Sequence, residues 1–257
     1  MTAPVVPCAG LPITATTRAA AARTIVDLAL SPGPSGVDVH LCNAYTLALA
    51  DRDRDLADVL LRAGLNLPDG KSVVWANRLT HRELDLPSER VYGPDLFRDV
   101  FALGQDVGLR HYLLGSTWEV LAELDTALRR RHGRAGVVGM DSPPFRALTD
   151  RERTHQLERI GSSGAQIVWV GLGTPKQDFE VARLARELPL VFVAVGAAFD
   201  FVAGTKPQAP LWMQHNGLEW VFRLGSEPSR LWRRYLFGNV RFVRAAVQHG
   251  RTRVPDR

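Results

Sequence analysis

Four short runs in this chain pair a chemically capable side chain with turn-forming neighbours. In Asn66-Leu67-Pro68-Asp69-Gly70 the apolar stretch stops at an Asp-Gly pair, and a helical pattern starts near Ser72. Turn duty is one reading of Asp69. The other is a carboxylate placed to hydrogen-bond a substrate hydroxyl and take its proton. Leu41-Cys42-Asn43 closes another apolar run, where Asn43 either caps the helix that follows or orients a ligand through its amide. Gly171-Leu-Gly-Thr-Pro-Lys-Gln177 stands between a clear strand pattern and a helix. Glycines there admit a phosphate close to the backbone, and a helix N-terminus favours negative charge; a plain glycine-rich turn is the alternative. The spacing is neither the dinucleotide fingerprint nor a P-loop, which argues against those two classes. The fourth run, Val195 to Gly204, sets Asp200 between Phe199 and Phe201. An acid in apolar company needs a partner, so Asp200 is either a site residue or a structural acid.

Two other patterns carry less. Asp51-Arg-Asp-Arg-Asp55 has the spacing of a metal-binding acid pair, but it falls within a helical pattern, where residues two apart do not share a face. The seven histidines show no ligand spacing. Neither a metal nor another cofactor is expected. Cys8 and Cys42 are too few for a disulfide framework and fit a reducing compartment.

The charge is unevenly placed. From Leu218 onward nine arginines face Glu219, Glu227 and Asp256, a net +6 of the chain's +5, so the remainder is slightly acidic. Clustered cations meet phosphate on a nucleotide, a nucleic acid or an anionic lipid surface. Aromatic residues, among them Trp220, Trp232, Tyr235 and Phe237, are interleaved with these arginines. They either pack the segment down or rest on a bilayer. Met1–Thr17 lacks the pattern of a secretory signal. The most apolar stretch, Leu188–Phe199, is shorter than the roughly 20 residues of a membrane span.

The elements that must position these groups follow from hydrophobic period. Strand-like runs are Val37–Cys42, His111–Gly115, Ala135–Met140, Gln166–Gly171 and Leu190–Val195. Helical patterns lie around Tyr45–Arg62, Ser72–Leu79, Pro94–Gln105, Thr117–Arg131, Thr149–Ile160 and Lys176–Glu187. The alternation predicts an α/β fold, a Rossmann-like, mostly parallel sheet with helices on both faces. Ligands of such sheets sit beyond the carboxyl ends of the strands. Helices over Ala209–Leu224 and Arg230–Gln248 make residues 205–257 a basic C-terminal helical appendage on a 1–204 core.

Taken in order, Pro68-Asp-Gly70, Glu89-Arg-Val-Tyr-Gly-Pro-Asp95, Gly171–Gln177, Val195–Phe201, Gly217–Leu224 and Glu227-Pro-Ser-Arg230 resemble the WecG/TagA/CpsF glycosyltransferase family, over roughly Val37 to Tyr235. The resemblance implies transfer of a sugar from a UDP-sugar to an undecaprenyl-diphosphate-linked saccharide, with inversion and without a metal, in cell-surface polysaccharide or teichoic acid synthesis. The donor would carry an N-acetylmannosamine-like sugar, glucuronic acid or a hexose. It further implies Asp69 as general base. Arg90, Arg223, Arg230 and Arg233 would meet the donor diphosphate, and Asn43, Gly171, Gly173, Gln177 and Asp200 would complete the substrate site. The enzyme would work in the cytoplasm, peripherally on the anionic inner face of the cell membrane, and nucleic acid is not expected as a partner. A homo-oligomer is compatible with this reading. Gln208 before Ala209-Pro210, Leu41 two residues before Asn43, and Asp178 after Gln177 depart from the family's usual arginine, threonine and glutamate.

Two other classes give different expectations. A non-catalytic nucleotide- or nucleic-acid-binding protein would use the arginines and aromatics of the tail on a single strand. Stronger salt-dependent binding to oligonucleotide than to UDP-sugar would mark it. A glycosidase would pair Asp69 with Asp200 and release free sugar.

Overall fold

A computed structural model gives the architecture and describes residues 3–133 and 136–249. The chain opens with a hairpin of β1 (Val5–Cys8) and β2 (Leu11–Thr14), followed by α1 (Arg18–Leu30) and β3 (Val37–Cys42). Next come α2 (Ala44–Ala50), α3 (Arg54–Arg62), β4 (Leu65–Pro68), α4 (Lys71–Thr80) and α5 (Gly93–Gln105). Strands β5 (His111–Gly115), β6 (Val137–Asp141), β7 (Ile167–Gly171) and β8 (Val191–Ala194) alternate with α6 (Trp118–His132), α7 (Asp150–Ser162) and α8 (Lys176–Glu187). Four helices complete the described chain: α9 (Ala198–Ala203), α10 (Leu211–His215), α11 (Glu219–Ser226) and α12 (Pro228–His249).

The six-stranded parallel sheet has the order β4-β3-β8-β7-β5-β6 and is flanked by helices, the expected Rossmann-like α/β arrangement. Registers such as Val168 opposite Phe192 and Trp169 opposite Val193 set continuous apolar strands side by side. Such runs suit strands covered on both faces.

By Cα proximity the chain divides into two compact units. One comprises residues 19–40 and 93–207. Its core is aromatic: the Phe97 ring lies 4.6 Å from Trp169 and 5.9 Å from Phe199, both edge-on, a favoured ring geometry. The other comprises residues 1–18, 41–92 and 208–257, so the C-terminal helices belong to the same unit as the hairpin and the Asp69 turn. Within it the buried Asn66 amide donates to the carbonyls of Pro12 (3.0 Å) and Leu60 (2.7 Å), tying β2 and α3 to β4.

Local chemistry shifted several boundaries. The single helix expected over Tyr45–Arg62 is two, broken at Asp51-Arg52-Asp53. Asp53 accepts from the amides of Asp55 and Leu56 as the N-cap of α3, a competing bond that short acidic side chains offer the backbone. The third strand of the sequence reading begins at Val137 and runs to Asp141. Among the described residues the tail has three helices instead of two, separated at Gly217 (φ 70°) and at Glu227, where Pro228 takes the first position of α12. The hairpin was not anticipated. Its turn uses Ala9 and Gly10, both at positive φ, as a two-residue connection demands.

Candidate active site

Asp69 owes its position to backbone bonds on both sides. Its own amide donates to the Cys42 carbonyl at 2.9 Å, and Val91 N donates to the Pro68 carbonyl at 2.8 Å. Gly70 follows at φ 113°, a conformation closed to most side chains, and begins α4. The turn therefore holds the carboxyl at the end of β4 and just ahead of a helix N-terminus.

Asn43 caps a helix and bears on Asp69 at once. Its Oδ1 accepts from Tyr45 N at 3.0 Å and Thr46 N at 3.2 Å, and from the Thr46 hydroxyl at 3.4 Å. The oxygen is thus committed to capping α2. The amide NH2 is the end left to donate, and the Asn43 side chain hydrogen-bonds the Asp69 carboxyl.

Around that carboxyl the same unit gathers charge. Burial is the largest influence and raises its pKa to about 6, with the Glu219 carboxylate pushing the same way. Arg90, the Asn43 hydrogen bond and Arg223 oppose the rise. Asp69 is only half-buried by surface, so protein mass around the carboxyl, with a partly open face, is the physical picture. Such a group changes protonation near neutrality, as a general base should.

Arg90 lies with Cζ 4.2 Å from the Tyr92 ring centroid, and its Nη1 is 2.8 Å from Glu219 Oε2. That oxygen receives no aligned hydrogen bond among the described residues, so the contact is a charge pairing and not a directed bond. The Tyr92 hydroxyl donates to Glu219 Oε1 at 3.0 Å. Burial and the neighbouring carboxylate push this phenol far above its usual range, keeping it a donor. Sequence reasoning missed Glu219 and Tyr92. In the sequence Glu219 is an offset in a basic tail and a member of the Gly217–Leu224 motif with no role of its own, although it stands four residues before Arg223, the spacing of one helix face.

The other unit holds Gly171, Gly173, Gln177 and Asp200. Gln177 Oε1 accepts from Gly173 N at 3.0 Å, and Gln177 N donates to the Gly173 carbonyl at 3.0 Å, closing the loop after β7 on itself. Gly173, at φ 77°, has nothing near the place of a Cβ, so its backbone is open to approach. Gly171 serves another end: a Cβ there would lie 2.8 Å from the Phe199 ring, so this glycine makes room for packing. Gly196 passes the Gln177 amide at ordinary contact distance, a Cβ meeting its Oε1 at 3.4 Å. Asp200 is half-buried in the first turn of α9 with Lys206 Nζ 3.8 Å from its carboxylate.

Beside this loop sits a group that the sequence did not reveal. His40, wholly buried, has Nδ1 3.0 Å from Asp178 Oδ1 and Nε2 3.0 Å from Asp38 Oδ2. Burial disfavours the imidazolium, yet the bonds to Asp178 and Asp38 outweigh it and raise the pKa to about 9. The charged ring fastens the first turn of α8 to β3.

The side chains of Arg230 and Arg233 lie outside the described residues. Among the described residues no group of three or more His, Cys, Asp or Glu could hold a metal ion, and no helix is long and apolar enough to cross a membrane. Helix α12 instead shows two apolar stripes. Leu231, Phe242 and Ala245 are buried, with Gly238 close against Tyr45 of α2, while Leu236, Val240, Val243 and Val247 are exposed. The model of the glycosyl transferase WecG/TagA/CpsF family matches residues 6–255, nearly the whole chain.

Proposed function

The chain belongs to the WecG/TagA/CpsF glycosyltransferase family, and from that premise we propose that it moves a sugar from a UDP-sugar to an undecaprenyl-diphosphate-linked saccharide, with Asp69 as the base. Membership makes it an enzyme of cell-surface polysaccharide synthesis acting on a sugar donor and a sugar acceptor. It also sets the non-catalytic and glycosidase readings aside.

The observation that carries the reading is one acid amid two cations: Asp69, with pKa raised to about 6, faces Arg90 and Arg223. In the transfer, the Asp69 carboxylate takes the proton of the acceptor hydroxyl as its oxygen bonds the anomeric carbon. The bond from that carbon to the UDP oxygen breaks on the opposite face, so configuration inverts. Charge gathering on UDP is met by guanidinium groups, which bind diphosphate in pairs of parallel bonds. Arg90 and Arg223 take this part, joined by Arg230 and Arg233 from the tail. Gln177, Gly173, Gly171 and Asp200 enter the reading on the family resemblance alone, and Asn43 steadies the base. No metal enters this mechanism. The donor sugar is N-acetylmannosamine-like, glucuronic acid or a hexose. The exposed stripe and arginines of the tail seat the enzyme on an anionic membrane, at its cytoplasmic face.

The test is a panel of UDP-sugars with a short-chain lipid-diphosphate saccharide, following UDP release. One donor should turn over, unaffected by EDTA, and the Asp69→Asn variant should lose about 10²–10⁴-fold in rate, the usual worth of general base catalysis. Turnover by that variant at the native rate removes the base assignment.

A further inference from the structure

We propose that Glu219 is a positioning residue for the transfer: through Tyr92 and Arg90 it holds helix α11 in place, so that its own negative charge and the positive charge of Arg223 both bear on Asp69. The proposal rests on Asp69 being the base. Its geometry is closed on three sides. Glu219 Oε1 accepts the Tyr92 hydroxyl at 3.0 Å, Oε2 lies 2.8 Å from Arg90 Nη1, and Arg90 in turn covers the Tyr92 ring at 4.2 Å. Both Arg90 and Glu219 keep only 12% of their side-chain surface, so the pair is shielded from salt and water. One turn later on the same face comes Arg223.

The chemistry explains why an acid stands among groups meant for a diphosphate. Arg90 and Arg223 alone would make Asp69 a weak base, because each cation favours the ionised carboxylate. Glu219 offsets them, and acts on Asp69 in the direction opposite to both arginines. The groups that bear on Asp69 are then Arg90 and Tyr92 from the segment before α5, Glu219 and Arg223 from α11, and Asn43 at the start of α2. Lys71, on the helix that Asp69 precedes, is turned to the Ser88 carbonyl at 3.2 Å.

The experiment compares pH profiles of kcat/KM for wild type, Glu219→Gln, Arg223→Gln and Asp69→Asn. UDP release is measured with the active UDP-sugar and the short-chain acceptor, and thermal midpoints are read in parallel. Activity of the wild type should rise with pH through about 6. Glu219→Gln keeps an acceptor for the Tyr92 hydroxyl and removes the charge, so its acid limb should move down by about one unit. Arg223→Gln should move the limb the other way. A loosened α11 would change both variants alike, in amplitude or midpoint, so opposite shifts are the signature of the proposal. If Asp69→Asn is inert and Glu219→Gln keeps the wild-type limb, the role of Glu219 is overturned and the base assignment stands. If Asp69→Asn turns over normally, the base assignment falls and this inference with it. Should Glu219→Gln not fold, an Arg223→Gln limb that is not displaced upward overturns the proposal by itself.

Discussion

The two ends of the Asn43 amide answer to different needs, one to the helix and one to the Asp69 carboxyl. Asn43→Asp keeps an oxygen for Tyr45 N and Thr46 N but sets a second carboxylate beside Asp69. Its thermal midpoint should stay near wild type, while its acid limb rises above 6 and its rate at neutral pH falls roughly tenfold or more. Asn43→Ala should lose about 1 kcal/mol of stability with the cap, and its limb should rise as well, since the lost bond favoured the ionised acid. Melts and rate profiles on the same samples check both. In the sequence Asp69 stands out as an acid at a turn before a helix, which turn duty alone would explain, and it is the family resemblance that singles it out as the base. Glu219 does not stand out, since its meaning depends on Arg90 and Tyr92, more than 120 residues earlier in the chain.

At the scale of elements, period and burial agreed for β3, β5, β7 and β8 and for α4 to α8, while α1, thirteen residues long, was not read from the pattern. The apolar run of β7 and the helix α8 after it could be read directly, since parallel strands and amphipathic helices announce themselves by pattern. Short elements could not: β1 and β2 have four residues each and each contains a proline. The clamp of His40 between Asp38 and Asp178 was hidden for another reason, as Asp178 lies 138 residues away on α8. It makes a prediction about pH. The folded pKa of about 9 exceeds the ordinary imidazole value of 6.5. Its stabilisation is therefore full below about 6.5 and is lost as pH rises through 9. The chain should melt at progressively lower temperature across that window, as stability on the order of 3 kcal/mol is lost. His40→Gln should flatten the dependence. Equal slopes for the two proteins in calorimetry would exclude the clamp as its source.

For the whole molecule, the charge count located the basic end but not its shape. What the structure adds is an outward stripe on α12, with Val240 69% and Val247 81% exposed, on a helix whose other side is packed. Replacing Val240 and Val243 by Asp leaves the buried stripe alone. Cosedimentation with vesicles rich in anionic lipid should fall about tenfold or more, each buried valine being worth 1.5 kcal/mol or above. Undiminished sedimentation would mean that the stripe faces something else. The same stripe bears on how the enzyme should be assayed. Held on a bilayer by α12, it would search for its acceptor in two dimensions. Acceptor spread thinly over many vesicles would then turn over more slowly than the same amount on few, at one bulk concentration. Surface density would set the rate, and a KM quoted per litre would change with the lipid added.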